Sequence, residues 1–171
     1  VMPRVRESLG SNIRFTIAGA NNSARIHARA YEGVDIVGPV EDLRPMYANH
    51  RVFVAPTRFA AGIPHKVHEA AAHGLPVVAT GLLETQLGWV DRVHLTVADE
   101  AETFAQRLVE LYRDPKLWES IRVAALDRVA VDCCPKHFKG QLDSIFGNGV
   151  RTHHTEEPAP ALAVGLSSEG R

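Results

Sequence analysis

Pro56-Thr57-Arg58-Phe59-Ala60-Ala61-Gly62-Ile63-Pro64-His65-Lys66-Val67-His68-Glu69-Ala70-Ala71-Ala72-His73-Gly74-Leu75-Pro76-Val77-Val78-Ala79-Thr80 reads as a loop, a helix and a strand, in that order. The apolar run Val52-Phe53-Val54-Ala55 before it is a buried strand that ends at Pro56. Pro64 stands where a first helical turn starts, a position that tolerates its missing N–H and fixed φ. The spacing predicts a helix to about His73, with Gly74 as its left-handed end and Pro76 blocking continuation. Val77-Val78-Ala79 is short and wholly apolar, as a parallel strand covered on both faces must be.

Lys66 and Glu69 are three apart in that helix and so share a face. A helix that follows a strand in a parallel α/β sheet begins at the strand's carboxyl edge, where ligands bind. Lys66 falls in the first turn, where unpaired backbone N–H groups already favour an anion. A loop arginine (Arg58), a lysine at the helix start and a glutamate one turn later suit a phosphate group joined to a hydroxylated sugar. From spacing alone the plainer reading, a surface ion pair on an amphipathic helix, stays open.

The pattern Arg-x-x-x-Gly-Ile-x-x-Lys-Val-x-Glu-Ala-x-Ala-x-Gly-x-Pro-Val-Val-Ala-Thr, from Arg58 to Thr80, resembles the donor-binding segment of retaining glycosyltransferases of family 4. The likeness extends more weakly over residues 1–146. It implies the C-terminal, Rossmann-like half of a GT-B fold, an α/β domain with a doubly wound parallel sheet that holds a nucleotide-diphospho-sugar. By that resemblance Arg58 and Lys66 contact the diphosphate and act in catalysis, Glu69 binds the ribose hydroxyls, and Gly62 and His65 line the donor site. Gly38 and Pro39, after the second strand, are candidates for the base pocket. Gly81, Leu82 and Leu83 form a loop whose backbone N–H groups face the diphosphate. The sequence departs from the family at Ala61, eight positions before Glu69, where many members carry a Glu that contacts the sugar.

The implied reaction is transfer of a hexosyl group from a nucleotide diphosphate to an acceptor hydroxyl. The acceptor, a glycan, lipid or protein, would be held by an absent N-terminal domain, with peripheral membrane association through that part left open. This half alone is then expected to bind and not to turn over. No cofactor is implied beyond the donor substrate. Two other readings stay on the page: a non-catalytic regulatory or scaffolding α/β domain, and a sugar-nucleotide epimerase of related GT-B architecture. A receiver-like regulatory module would want an acidic pair near Ala18 to Ala20, which is absent.

Composition agrees with one ordinary globular domain. The chain has 171 residues, 45% hydrophobic and 23% charged, enough for a proper core. A net charge of −1 gives no nucleic-acid footprint. Cys133 and Cys134 are adjacent and imply no disulfide framework, so a reducing cytoplasm is the default. His65, Glu69 and His73 share a helical face, but their spacing is not H-E-x-x-H and no metal site is read from them. G-x-G-x-x-G and G-x-S-x-G are absent as well.

Along the rest of the chain, Met2, Val5 and Leu9 are spaced for one helical face. A doubly wound domain normally opens with a strand before such a helix, so a missing upstream strand and domain are expected. Strands are expected over 14–20, 34–40 and 94–99. Helices are expected over 23–31 (with Ile26 and Ala30 inward), 41–49, 101–113, 116–131 and 136–146. Residues 81–89 read as loop, and residues 147–171 as a disordered tail.

Overall fold

The computed structural model describes residues 1–20, 24–28 and 33–146, with residues 25 and 26 in backbone only. In chain order the elements are α1 (Met2–Leu9), β1 (Phe15–Ala18), α2 (Ala24–His27), β2 (Val34–Val37), α3 (Arg44–Asn49), β3 (Phe53–Ala55), α4 (His65–Ala72) and β4 (Val77–Ala79). After them come α5 (Gly81–Leu87), β5 (Thr96–Val97), α6 (Ala101–Arg113), α7 (Pro115–Asp132) and α8 (Pro135–Phe146). Strand and helix alternate through β5, and every strand pair is parallel, as right-handed crossovers require. The expected helix over 23–31 is described from Ala24 to His27, while the side chains of Ile26 and Ala30 fall outside the described residues. So does the expected tail over 147–171.

The single sheet expected from the sequence is divided. β1 pairs with β2, and β3, β4 and β5 form a second, three-stranded sheet with β4 in its centre. β1 and β3 are the inner edges of the two sheets, and a groove runs between them.

Helices cover both faces, so the arrangement is doubly wound. Val67, Ala70 and Ala71 of α4, Leu83 and Leu87 of α5, and Ala125 and Val129 of α7 pack with Val77 and Ala79 on one side. Met2 and Val5 of α1, with Phe104, Ala105, Leu108 and Leu111 of α6, pack around Val78 on the other. The alternation of Val77, Val78 and Ala79 between the two clusters is the period-two geometry of a strand. All three are fully buried.

Local chemistry sets the boundaries. The Asp114 carboxylate accepts from the Lys116 and Leu117 N–H groups at 2.9 and 3.0 Å, and Pro115 occupies the first turn of α7. The Asp114-Pro115 breaker is thus also a cap. Gly74 ends α4 with φ +75°, open to glycine without strain.

Residues 81–89, expected as loop, are largely helix. Thr80 supplies its carbonyl to the N–H groups of Leu83 and Glu84, and Gly88 closes α5 at φ +61°. The physical reason is the spacing of Leu83 and Leu87, which places two buried leucines on one face. The α8 unit is separate from residues 1–134, and none of its residues is buried. Among the described residues no helix is long and apolar enough to cross a membrane.

One polar clasp ties α4, α7 and the segment after α5 together. The Asp132 carboxylate accepts from Trp89 Nε1 at 2.8 Å and from Arg128 Nε at 3.0 Å, with His68 Nε2 at 3.4 Å. Burial pushes the Asp132 carboxyl up, but the bonds from Trp89, Arg128 and His68 outweigh it and hold the group below its ordinary range. A depressed folded-state pKa stabilises the fold above the unfolded value of about 3.9 and loses that contribution as pH falls through the folded value. Asp132→Asn should therefore lower stability at neutral pH and flatten its fall below about pH 4. Urea unfolding at stepped pH values checks this, and parallel wild-type and variant curves would contradict it.

Candidate functional site

The carboxyl ends of β3 and β4 open on one edge of their sheet, as parallel pairing dictates. β3 ends at Ala55, and the chain crosses to α4 through residues 56–64. Pro64 is the residue before the helix, not within its first turn as expected, so His65 begins α4 and Lys66 is its second residue.

Lys66 and Glu69 line the same cavity, of about 530 Å³, which runs back between β1 and β3. Both side chains are exposed. The Lys66 ammonium donates to Thr57 Oγ1 at 2.7 Å. Thr57 is in turn tied to β4, since the Thr80 hydroxyl donates to its carbonyl at 2.6 Å. A lysine at a helix start, held over a strand-end loop by a hydroxyl, presents its charge beside a helix N-terminus whose His65 and Val67 N–H groups donate to the Ile63 and Pro64 carbonyls, each at 2.9 Å.

Glu69 stands one turn further on, against Tyr47 of α3. Burial, and then the negative charge and hydrogen bonding of Glu69, push the Tyr47 hydroxyl above the ordinary phenol range. The Tyr47 ring stacks on His73 with centroids 4.7 Å apart, so His73 joins the packing behind Glu69. Among the described residues, no three His, Cys, Asp or Glu side chains gather to hold a metal ion.

Arg58 is placed apart from that cavity. It borders an open pocket with Phe59, Ala60, Ala61 and Leu82. Gly62 lies on the same loop with φ +85°, and a Cβ there would meet nothing within 4 Å. Its glycine thus serves backbone conformation rather than close approach. His65 is exposed at the start of α4. Gly38 and Pro39 are exposed beyond β2, where the Gly38 carbonyl accepts from the Gly19 N–H at 3.2 Å.

The loop of donors expected at Gly81, Leu82 and Leu83 is instead the first turn of α5. The Gly81 N–H donates to Asp99 Oδ1 at 3.0 Å, and the Leu83 N–H to the Thr80 carbonyl at 3.0 Å. Leu83 is 0% exposed and belongs to the core. Of the three, Leu82 alone borders a pocket with Arg58. Sequence reasoning overlooked Thr57, Tyr47 and Asp99. Thr57 carries a local signal, a hydroxyl just after a strand-ending proline, whereas Tyr47 and Asp99 reach the site only through long-range packing.

The model of the family described as "Glycosyl transferases group 1" matches residues 1–114. The chain belongs to the group 1 glycosyl transferases. A comparison with curated protein sequences gave no match. Among solved structures, this group 1 chain is similar to WaaG, a glycosyltransferase involved in lipopolysaccharide biosynthesis. The TM-score is 0.65 at 19% identity, over 85% of this chain and 43% of WaaG. It is similar to the C-terminal domain of the glycosyl transferase group 1 family protein LpcC from Francisella tularensis, with TM-score 0.52 at 21% identity over 61% of this chain and 56% of that one. It also resembles the pneumococcal O-GlcNAc transferase GtfA, solved in complex with UDP and GlcNAc. There the TM-score is 0.62 at 16% identity over 82% of this chain and 31% of GtfA. The chain thus spans about half or less of the length of these structures. Its parallel α/β arrangement is that of the C-terminal half of GT-B glycosyltransferases.

If Leu83 is core, Leu83→Ala should cost about 2–5 kcal/mol of stability, the range for a buried leucine that leaves a cavity. Guanidinium unfolding measures it, and a loss within about 0.5 kcal/mol, the scale of surface substitutions, would return Leu83 to the surface.

Proposed function

We propose that this chain is the donor-binding half of a retaining hexosyltransferase and takes the nucleotide diphosphate of a sugar donor at the carboxyl edge of its sheets. The single observation that carries this reading is that Lys66 and Glu69 line one cavity opening on that edge. A positive charge at a helix start suits a diphosphate, and a carboxylate one turn later suits the paired hydroxyls of a ribose. The complex of GtfA with UDP and GlcNAc supports the same choice of ligand.

Charge on the leaving diphosphate grows as the glycosyl bond breaks, so the chemistry asked of this half is electrostatic stabilisation. Lys66 supplies a point charge that leaves Thr57 for a phosphate oxygen. Arg58, on the loop ahead of α4, can give two parallel N–H bonds to phosphate once that loop folds over the ligand. The acceptor hydroxyl, from a glycan, lipid or protein, would be held by another part of the full-length enzyme.

Charge-assisted hydrogen bonds contribute about 1.5–3 kcal/mol each. Lys66→Ala should therefore weaken binding of a nucleoside diphosphate about ten- to a hundredfold and leave the nucleoside nearly unchanged. Glu69→Gln should lower affinity for the nucleoside and the diphosphate by the same factor, because the ribose is common to both. Calorimetric titration of both variants with both ligands is the test. Equal losses for both ligands in the Lys66 variant, or none in either variant, would reduce the two residues to a solvated helix face.

A further inference from the structure

α5 presents three stripes, each with a different partner. Leu83 and Leu87 are four apart and enter the core. Glu84 accepts from the Asp91 N–H at 3.1 Å. Leu82 and Gln86, also four apart, share the third stripe, and both meet the loop that carries Arg58. Leu82 borders the open pocket with Arg58, Phe59, Ala60 and Ala61. Gln86 Nε2 donates to the Ala60 carbonyl at 3.1 Å. Among the described residues, this is the one hydrogen bond that residues 58–62 make.

The other half of the carboxamide is unused. Gln86 Oε1 is buried and has no hydrogen-bond partner among the described residues. A buried acceptor without a donor is costly, so the fold is stabilised when one arrives. The loop beside it carries donors of the right kind, because none of the N–H groups of residues 58–62 bonds to a described residue. The same loop stands out in solvent, with Phe59 93% exposed, and turns at Gly62 with φ +85°. A planar amide can give an N–H to a carbonyl on one side and take an N–H on the other. A carboxylate has no hydrogen to give, and an ammonium has no lone pair.

We propose that Gln86 is a positioning residue for Arg58, its carboxamide a two-point latch on the loop backbone. The inference rests on the donor-site reading above, in which Arg58 bonds the diphosphate. Arg58 and Lys66 border different pockets, so one diphosphate meets both only when the Arg58 loop moves. The Nε2 bond to Ala60 is the anchor of that movement. As the loop closes, one of its N–H groups reaches Oε1, and the second bond holds Arg58 on the phosphate oxygens. The bond offsets part of the conformational entropy that the loop loses on closing.

Gln86→Leu keeps the approximate volume and removes both polar atoms. Because it also removes an unpartnered buried oxygen, its Tm should stay within about 2 °C of the unsubstituted protein, the scale of a surface change. Calorimetric titration of the full chain with UDP, GDP and ADP, each beside its nucleoside, selects the diphosphate that binds. For that ligand Gln86→Leu should weaken binding about three- to tenfold, the net worth of one hydrogen bond, and leave the nucleoside unchanged. In an Arg58→Ala background the same substitution should change diphosphate affinity less than about twofold, since nothing is left to position. No loss, equal losses for nucleoside and diphosphate, or an undiminished loss without Arg58 would overturn the proposal.

Two backbone readouts separate the latch from the ligand reading. Without ligand, amide order parameters over residues 59–62 should fall below about 0.6 in Gln86→Leu and stay near about 0.85 over residues 81–87. With the diphosphate, one amide of residues 59–62 should exchange at least about tenfold more slowly in the unsubstituted protein and not in the variant. Equal protection in both proteins would overturn the second bond. Order parameters alike in both would overturn the anchor, whatever ligand binds. If none of the three diphosphates binds, the nucleotide reading fails and the role given to Arg58 fails with it, while the ligand-free comparison still decides whether Gln86 holds the loop.

Discussion

Val77, Val78 and Ala79 are wholly removed from water, so their peptide groups must find hydrogen-bond partners within the protein. That constraint requires a partner on each edge, and β3 and β5 are those partners. Because all run in one direction, each connection must cross a face of the sheet, and the crossovers are helices. The same polarity brings the carboxyl ends of the strands to one side. A common edge of strand ends therefore arises from the hydrogen bonding of three buried residues, before any candidate site residue is considered.

The site makes use of that polarity with few parts. Lys66 sits at the start of a helix and is held by Thr57, which is itself bonded to the end of the central strand through Thr80. The charge is thus linked to the central, fully buried strand. Glu69 is backed by Tyr47 of α3, whose ring stacks on His73 at the end of α4. Arg58 has no comparable support: it sits on a loop with Phe59 93% exposed and Ile63 63% exposed. The two cations thus differ in their setting, one bonded to the end of β3 through Thr57 and one on an exposed loop.

The two faces of the sheet are held by different means. On one, α1 and α6 pack largely apolar surface on Val78. On the other, the apolar cluster of α4, α5 and α7 is joined by the Asp132 clasp, which brings Trp89, Arg128 and His68 to one carboxylate. A carboxylate with several donors specifies one arrangement of the elements that supply them, where apolar packing tolerates several.

The sequence by itself determined what depends on neighbours along the chain. The helix over 101–113, the short strand at Val77 to Ala79, the left-handed end at Gly74 and the shared face of Lys66 and Glu69 all follow from periodicity, glycine and proline. So does the parallel α/β class, from the tempo of alternation. The tertiary structure alone decided three further matters. Residues 81–87 became helix because burial of Leu83 and Leu87 against the sheet outweighed a local reading as loop. Arg58 and Lys66 came to border different pockets because the path of residues 56–64 depends on contacts distant in sequence. The sheet divided between β1 and β3 because strand pairing is a long-range hydrogen-bonding relation, and the pattern of a single strand carries no record of which edge it will face.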